Sequence, residues 1–293
     1  MGHEHEHDGE DPESYRHLGF RDAGEFEVVV EGRHLEDAAA FDWSIETHGQ
    51  DWAKLTAARD AEVVRLSGIY GRLLGNAGVT SFDARATFLD AHTLDVGGKR
   101  VTAERIIIAV GGTASRLDIP GAELGLISDD IFTLKALPKR VAVLGAGYIA
   151  VEFACILKGL GAEVTLVHRA PLPLRGFDED IRSAAAEALV AQGITCRADV
   201  SPTRIEAQGA ARLLHLSDGS AAEFDAVFFC TGRAPATKGL GLEKAGVAVN
   251  AAGAIVVNED HATSQPHIFA IGDVLDRVNL TPMATAVGHA LAD

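Results

Sequence analysis

Apolar residues recur along this chain at two periods, and the points where one gives way to the other divide it into elements. From Leu35 the period is helical. "HLEDAAAFDW" is followed by "DWAKLTAARDAEVVRLSGIYGRLLGNAG", where Leu55, Val63, Leu66, Ile69 and Leu73 fall at helical intervals before a glycine-rich stop at 75–78. Short strand-like runs come next, at 79–82, 86–89 and 93–96. "RIIIAVGG" at 105–112 is apolar without alternation, which predicts a strand buried on both faces. Residues 141–167 then read as strand, glycine turn, helix and strand ("VAVLGAG", "YIAVEFACILKGLG", "EVTLV"), the spacing of one βαβ unit. A helix over roughly 179–192 leads to "GITCRADV", a meander with a "SDGS" turn, and the run "AVFFCTG" at 226–232. The last segment holds "AIVVNED" and "PHIFAIGDV". Strands alternating with helices predict an α/β fold with a parallel sheet around 141–167.

Composition narrows the function classes. The 293 residues, 47% hydrophobic and 23% charged, suffice for two domains. The balance of 26 basic against 42 acidic side chains gives a formal charge of -16, with no cluster of Lys and Arg to follow a phosphate backbone. Nucleic acid is not an expected partner. Apolar runs such as 106–110 and 227–230 are strand-sized, well short of the roughly 20 residues of a membrane span. Without a basic stretch leading into an apolar one at the amino terminus, the expected location is the cytoplasm.

Residues 1–30 stand apart. Glu4, Glu6, Asp8, Glu10, Asp11 and Glu13 precede the first basic residue, Arg16, and apolar periodicity is weak, so disorder is expected. His3, His5 and His7 alternate there, but a tract without supporting ligands is not assigned a metal. Cys155, Cys196 and Cys230 are too scattered for a disulfide scaffold, a zinc site or a redox pair. They read as buried, inert thiols.

Chemistry concentrates at Gly145 and Gly147. A Gly-x-Gly that follows a strand and opens a helix lets backbone N–H groups approach a pyrophosphate, with about half a positive charge at the helix N-terminus behind them. Gly145 allows the tight turn, Gly147 the close approach, and Ala150 the helix-to-strand packing. At the end of the next strand, NAD sites place a carboxylate on the ribose hydroxyls. Here the chain reads "VTLVHRAPLPLRGFD", with His168, Arg169 and then Arg175. Two guanidiniums bonding a 2′-phosphate at about 1.5–3 kcal/mol each favour NADPH over NADH by roughly a hundredfold to ten-thousandfold. A second signature, "TSQPHIFAIGDV", ends a strand at Gly272-Asp273, where the carboxylate either faces a ligand or caps a helix.

Together, "FDW", the "IY" of the first helix, "AERIIIAVGGTAS", "PKRVAVLGAGYIAVEF", "LRGFD", "TGRAP", "TSQPHIFAIGDV" and "NLTPMATA" resemble the flavoprotein disulfide reductases. Within these class I pyridine nucleotide-disulfide oxidoreductases, the glutathione reductases are the nearest likeness. The motifs run in the family's order from about residue 35 to residue 293. The resemblance implies a Rossmann-like NADPH domain inserted in an FAD-binding domain, which explains a dinucleotide turn in mid-chain. It implies domains at 31–127 (part of the FAD domain), 128–236 (NADPH) and 237–293 (return to the FAD and central domain). On the family's pattern Ala146, Ile149, Glu152, Arg169, Arg175 and Gly232 fall on NADPH contacts, with Gly145 and Gly147, and Tyr148 on the aromatic covering the nicotinamide pocket. Glu152 also resembles a carboxylate that pairs with a flavin-side lysine. Ala86, Asp273 and Thr281 fall on FAD positions, and Tyr70 on a tyrosine at the glutathione site.

The implied activity is reduction of glutathione disulfide by NADPH through FAD, in a homodimer. Departures qualify it. The family's first Gly-x-Gly-x-x-Gly unit, its Cys-x4-Cys helix and its interface domain with a His-Glu pair are not matched in these residues, so the chain is expected to be incomplete at both ends and inactive alone. A shifted frame or start is expected for residues 1–30. Alternatives are an NADPH-binding remnant without turnover, or a related enzyme such as mercuric reductase or dihydrolipoyl dehydrogenase; the arginine pair argues against the last.

Overall fold

The computed structural model of the protein describes residues 38–44 and 50–293, so the amino-terminal segment with His3, His5 and His7 lies outside the described residues. Before Leu117 the elements are α1 (Trp52–Asn76), β1 (Ala86–Phe88), β2 (Thr93–Val96), β3 (Lys99–Thr102), β4 (Ile106–Ile108) and β5 (Gly112–Ala114). Then come β6 (Leu126–Ile127), β7 (Arg140–Leu144), α2 (Tyr148–Gly159), β8 (Glu163–Val167), α3 (Glu179–Ala191), β9 (Thr195–Arg197), β10 (Pro202–Gln208), β11 (Ala211–Leu216), β12 (Ala221–Phe224) and β13 (Ala226–Phe229). The chain closes with β14 (Arg233–Pro235), α4 (Leu242–Ala245), β15 (Ile268–Ala270) and α5 (Thr281–Ala292). These divide into two compact units, one holding Leu117–Cys230 with the described residues up to Gly71, the other Arg72–Arg116 with Thr231–Asp293.

The first unit is built on a parallel sheet in the order β6-β13-β7-β8-β9. Its central strands β7 and β13 are apolar at successive positions because both faces are covered. One face sends Val141, Val143, Leu166 and Phe228 against Phe153, Ala154 and Leu157 of α2. The other sends Ala142, Leu144, Val227 and Phe229 against Ile205, Leu214 and Phe224 of the antiparallel sheet β10-β11-β12. Helix, sheet and meander thus form three layers, and β7 lies where the connections part to either side: β8 beyond one edge, β13 beyond the other. That is where ligands bind in open α/β sheets.

Helix α1 spans the predicted helical period, but none of its residues is buried. Its attachment is polar: Trp52 Nε1 donates to the Leu134 carbonyl at 2.9 Å, and Arg59 donates to the Phe132 carbonyl at 2.7 Å with its guanidinium 5.5 Å from the Phe132 ring centroid.

In the second unit a three-stranded antiparallel sheet, β1-β2-β3, accompanies two strand pairs, β15-β4 and β14-β5. Phe88, Ile106, Ile108, Leu242, Ile268 and Val274 fill its core.

Two expectations about strands need correction. Residues 79–82 are not a strand, and Val79 and Phe82 are 50% and 46% exposed; a β-run forms only where a partner supplies the ladder, and none of the described strands pairs with it. The run at 105–112 condenses to Ile106–Ile108, paired in parallel with Ile268–Ala270, and Ile107 between its buried neighbours is 55% exposed. It is covered on one face only.

Candidate functional site

Strand β7 ends at Leu144, and the chain must reverse at once to lay α2 back on the sheet. Gly145 does this at φ 127, a conformation costly for any side chain, and its N–H bonds the Val167 carbonyl of β8 at 2.9 Å. Gly147 is different. Its φ of -75 and ψ of 177 suit any residue, and a Cβ built there meets no atom within 4 Å. The fold does not demand glycine at 147; what glycine leaves is open space in front of a helix N-terminus, the fit a pyrophosphate requires. No side chain caps α2 and no acidic residue lies in its first turn, whereas α3 is capped by Asp178, which accepts from Asp180 N–H at 3.0 Å. The orphan donors of α2 remain directed outward.

Ala146 sits in this turn, Ile149 is half-buried, Tyr148 is 40% exposed, and Ala150 is fully buried against the sheet. Glu152, one turn further, is half-buried, its side chain makes no hydrogen bond or ion pair among the described residues, and burial raises its pKa.

At the end of β8 the two basic side chains separate in character. His168 is buried, and its Nδ1 lies 2.6 Å from the Ala170 carbonyl, an acceptor that fixes the proton on Nδ1. Its work is to hold its own chain. Arg169 is exposed beside it, and Arg175 is exposed in the loop that follows. That loop returns to the glycine turn, where Leu174 N–H bonds the Ala146 carbonyl at 2.7 Å. Turn and arginine loop are therefore tied by a direct backbone bond. No carboxylate stands at the strand end, so the arrangement offers donors for a pyrophosphate and cationic side chains for a further phosphate.

Sequence reasoning missed Arg182, which grips this loop: its Nε and Nη2 donate to the carbonyls of Pro173 and Leu172 at 2.8 and 3.1 Å, and Nη1 pairs with Glu179 at 2.8 Å. The one signal available was the Glu179–Arg182 spacing on the first turn of a helix.

The remaining candidates lie elsewhere. Tyr70 is 64% exposed on α1. In the second unit Gly232, at φ 124, accepts from Ser115 N–H at 2.9 Å. Ala86 opens β1, and Thr281 is exposed at the start of α5. Asp273 lies inside a short 3-10 turn, Gly272–Leu275, after the end of β15; the N-cap of that turn is Ile271 and no side chain caps it, so the capping reading of Asp273 is not met. Its carboxylate is 25% exposed, with the Arg233 Nε at 4.0 Å, and keeps capacity to accept.

The thiols are less buried than expected. Only Cys230 is buried; Cys155 and Cys196 are half-buried, as the sheet and α2 leave their edges open. Burial pushes Cys230 up to about 12 and raises Cys196. Among the described residues no cluster of three metal-ligating side chains occurs, and no helix is long and apolar enough to cross a membrane.

A Gly-x-Gly turn between a parallel strand and an uncapped helix, followed by arginines at the next strand end, defines an α/β dinucleotide-binding protein. The sequence profile described as "Pyridine nucleotide-disulphide oxidoreductase" matches residues 21–288, and the chain belongs to that family, with its FAD/NAD(P)-binding fold. It is similar to glutathione reductase of Burkholderia cepacia (44% identical over 262 residues, 89% of this chain and 58% of the relative) and to that of Nostoc sp. (42% over 282 residues, 91% and 61%). Among solved structures it resembles the HOCl-induced flavoprotein disulfide reductase RclA from Escherichia coli, with a TM-score of 0.82 and 28% identity over 92% of this chain and 60% of that one. The chain thus spans about three-fifths of the length of the relatives it matches. Glutathione reductases of this family are FAD- and NADPH-dependent.

Proposed function

We propose that this chain is the nucleotide-binding part of an NADPH-dependent, FAD-containing enzyme that reduces glutathione disulfide, cytoplasmic and homodimeric in its working form. The observation that carries the reading is the Gly145–Gly147 turn tied through Leu174 N–H and the Ala146 carbonyl to a loop bearing Arg175, with Arg169 in place of the carboxylate an NAD site uses. The similarity to glutathione reductases supports the substrate.

On this reading the backbone of Gly145, Ala146 and Gly147 receives the pyrophosphate, and Arg169 and Arg175 bond the 2′-phosphate. Tyr148 covers the nicotinamide pocket, and Ile149, Glu152 and Gly232 complete the NADPH contacts. Ala86, Asp273 and Thr281 hold FAD, with Asp273 accepting from the ribitol, and Tyr70 meets glutathione. The raised pKa of Glu152 suits a carboxylate waiting for a cationic partner on the flavin side. Bound FAD supplies the two-electron carrier between a nicotinamide and a disulfide.

The thiols that complete such a relay are not Cys155, Cys196 and Cys230. The relay needs an adjacent pair with thiolate character, and burial disfavours the thiolate at Cys196 and Cys230. Taken alone, the 293 residues therefore support nucleotide binding rather than turnover.

The test is the protein purified from its own cells, assayed for NADPH oxidation with glutathione disulfide, a mercuric salt and lipoamide in parallel. Preferential turnover of glutathione disulfide with NADPH is the expected result. Preference for either of the other two overturns the substrate assignment.

A further inference from the structure

Within the loop between β8 and α3, the stretch from Pro171 to Phe177 has few hydrogen bonds of its own. It contains Pro171 and Pro173, which have no N–H to donate. Arg175 is flanked by two left-handed residues, Leu174 at φ 53 and Gly176 at φ 96, a conformation that is strained for leucine. The loop's own backbone supplies Leu174 N–H to the Ala146 carbonyl at 2.7 Å and Phe177 N–H to the Leu174 carbonyl at 3.1 Å. Upstream, His168 anchors the start of the loop, with Nδ1 on the Ala170 carbonyl at 2.6 Å and its backbone N–H on the Arg197 carbonyl at 3.0 Å. Over residues 171–177 the side-chain hydrogen bonds among the described residues come from Arg182.

Arg182 projects from the first turn of α3, a base fixed by the Asp178 cap and by its own N–H on the Asp178 carbonyl at 3.0 Å. All three of its guanidinium nitrogens are engaged: two on the consecutive carbonyls of Leu172 and Pro173, one on Glu179. The side chain is 17% exposed and its charge faces a carboxylate. Arg175, in contrast, is exposed and makes no side-chain hydrogen bond or ion pair among the described residues. One arginine is spent inside the protein so that the other can be presented.

Resting on the reading of this turn as an NADPH site, we propose that Arg182 is a positioning residue that sets the preference for a 2′-phosphorylated nucleotide. It holds the Arg175 loop against the Gly145–Gly147 turn without touching the ligand. A planar fork that spans two carbonyls and a carboxylate is specific to arginine; a lysine ammonium cannot reproduce it. Misplacing a binding group by about 1 Å can cost up to a hundredfold, so releasing the loop degrades the phosphate contact while leaving the pyrophosphate cradle intact.

The experiment measures dissociation constants for NADPH and NADH on the full chain, wild type and Arg175→Met, Arg182→Met, Arg182→Lys and Glu179→Gln, with a melting curve for each. Arg182→Met is expected to lower the NADPH-to-NADH preference by roughly threefold to thirtyfold, with NADH affinity within about twofold of wild type. Arg182→Lys is expected to fall between, and Glu179→Gln to lose less. Retention of the wild-type preference in Arg182→Met overturns the proposal. So does a parallel loss of both nucleotides with a lowered melting temperature, which is a purely structural role. If Arg182→Met does not fold, Arg182→Lys and Glu179→Gln decide by the same ratio. A wild-type chain that does not distinguish the nucleotides refutes the underlying NADPH reading, and this inference with it; preference lost in Arg175→Met but kept in Arg182→Met refutes the positioning role alone.

Discussion

Replacing Gly147 with alanine separates what the fold needs from what the ligand needs. The backbone at 147 is already in a conformation alanine adopts, and the added Cβ meets no protein atom within 4 Å. Removing glycine from the unfolded chain stabilises by about 0.4–1 kcal/mol. Alanine is a poorer N-cap than glycine, by roughly 0.5–1 kcal/mol. The two nearly cancel, and with about 2–4 °C of melting temperature per kcal/mol the midpoint is expected to stay within about 3 °C of wild type. Binding behaves otherwise, because the methyl group occupies the space in front of the α2 N-terminus. Loss of one charge-assisted hydrogen bond costs about 1.5–3 kcal/mol, a rise in dissociation constant of roughly tenfold to a hundredfold. NADPH and NADH share the pyrophosphate, so both weaken alike and their ratio is unchanged. Fluorescence titration with each nucleotide, beside thermal unfolding by circular dichroism, reads both sides. Unaltered affinity, or weakening that comes with a fall of more than about 5 °C, refutes the assignment of that space to a pyrophosphate.

Three further outcomes follow from packing and titration. Gly121→Ala drives a Cβ into the Ile205 carbonyl oxygen at φ 79, where the Ile205 N–H bond to the Pro120 carbonyl at 3.0 Å locks the two segments; destabilisation of about 3–5 kcal/mol is expected by denaturant unfolding, and a loss under 1 kcal/mol contradicts it. Asp225 is held below the usual carboxylate range by hydrogen bonds from the Arg140 guanidinium and backbone N–H, so its contribution is present above the unfolded pKa and lost as pH falls through the lower folded one. Asp225→Asn should therefore lower the melting temperature by about 1–3 °C at pH 7, with the difference from wild type shrinking as the pH is lowered below the ordinary carboxylate range, and a loss that stays constant with pH is the adverse result. Cys230, with its thiol at about 12, should resist iodoacetamide at pH 8 until the chain unfolds; rapid labelling of the native protein contradicts its burial.

The parts of the site legible in the sequence were those fixed by local geometry. Gly145 and Gly147 bracket a turn whose strand, helix and return strand occupy adjacent stretches, so period and spacing suffice to locate β7, α2 and β8. Arg169 was legible for the same reason, as a residue counted from a strand end. Val79–Phe82 has the composition of a strand but lacks the partner that makes one, and pairing is not a local property. Ile107 reads as core because its neighbours are apolar, yet its side of the sheet is uncovered. His168 adjoins Arg169 in sequence, but its partner, the Ala170 carbonyl, is set by the path of the following loop and not by spacing. Arg182 was hidden because its partners, Leu172 and Pro173, become adjacent to it only when a left-handed Leu174 folds the loop back onto α3.

The measurement that bears most directly on the proposed function is the pair of dissociation constants of the unmodified chain for NADPH and NADH at one ionic strength. With Arg169 and Arg175 free to meet a 2′-phosphate, NADPH should bind at least about tenfold more tightly. Equal affinities, or tighter binding of NADH, would mean that the arginines at the end of β8 are surface charge and that the cofactor assignment is wrong.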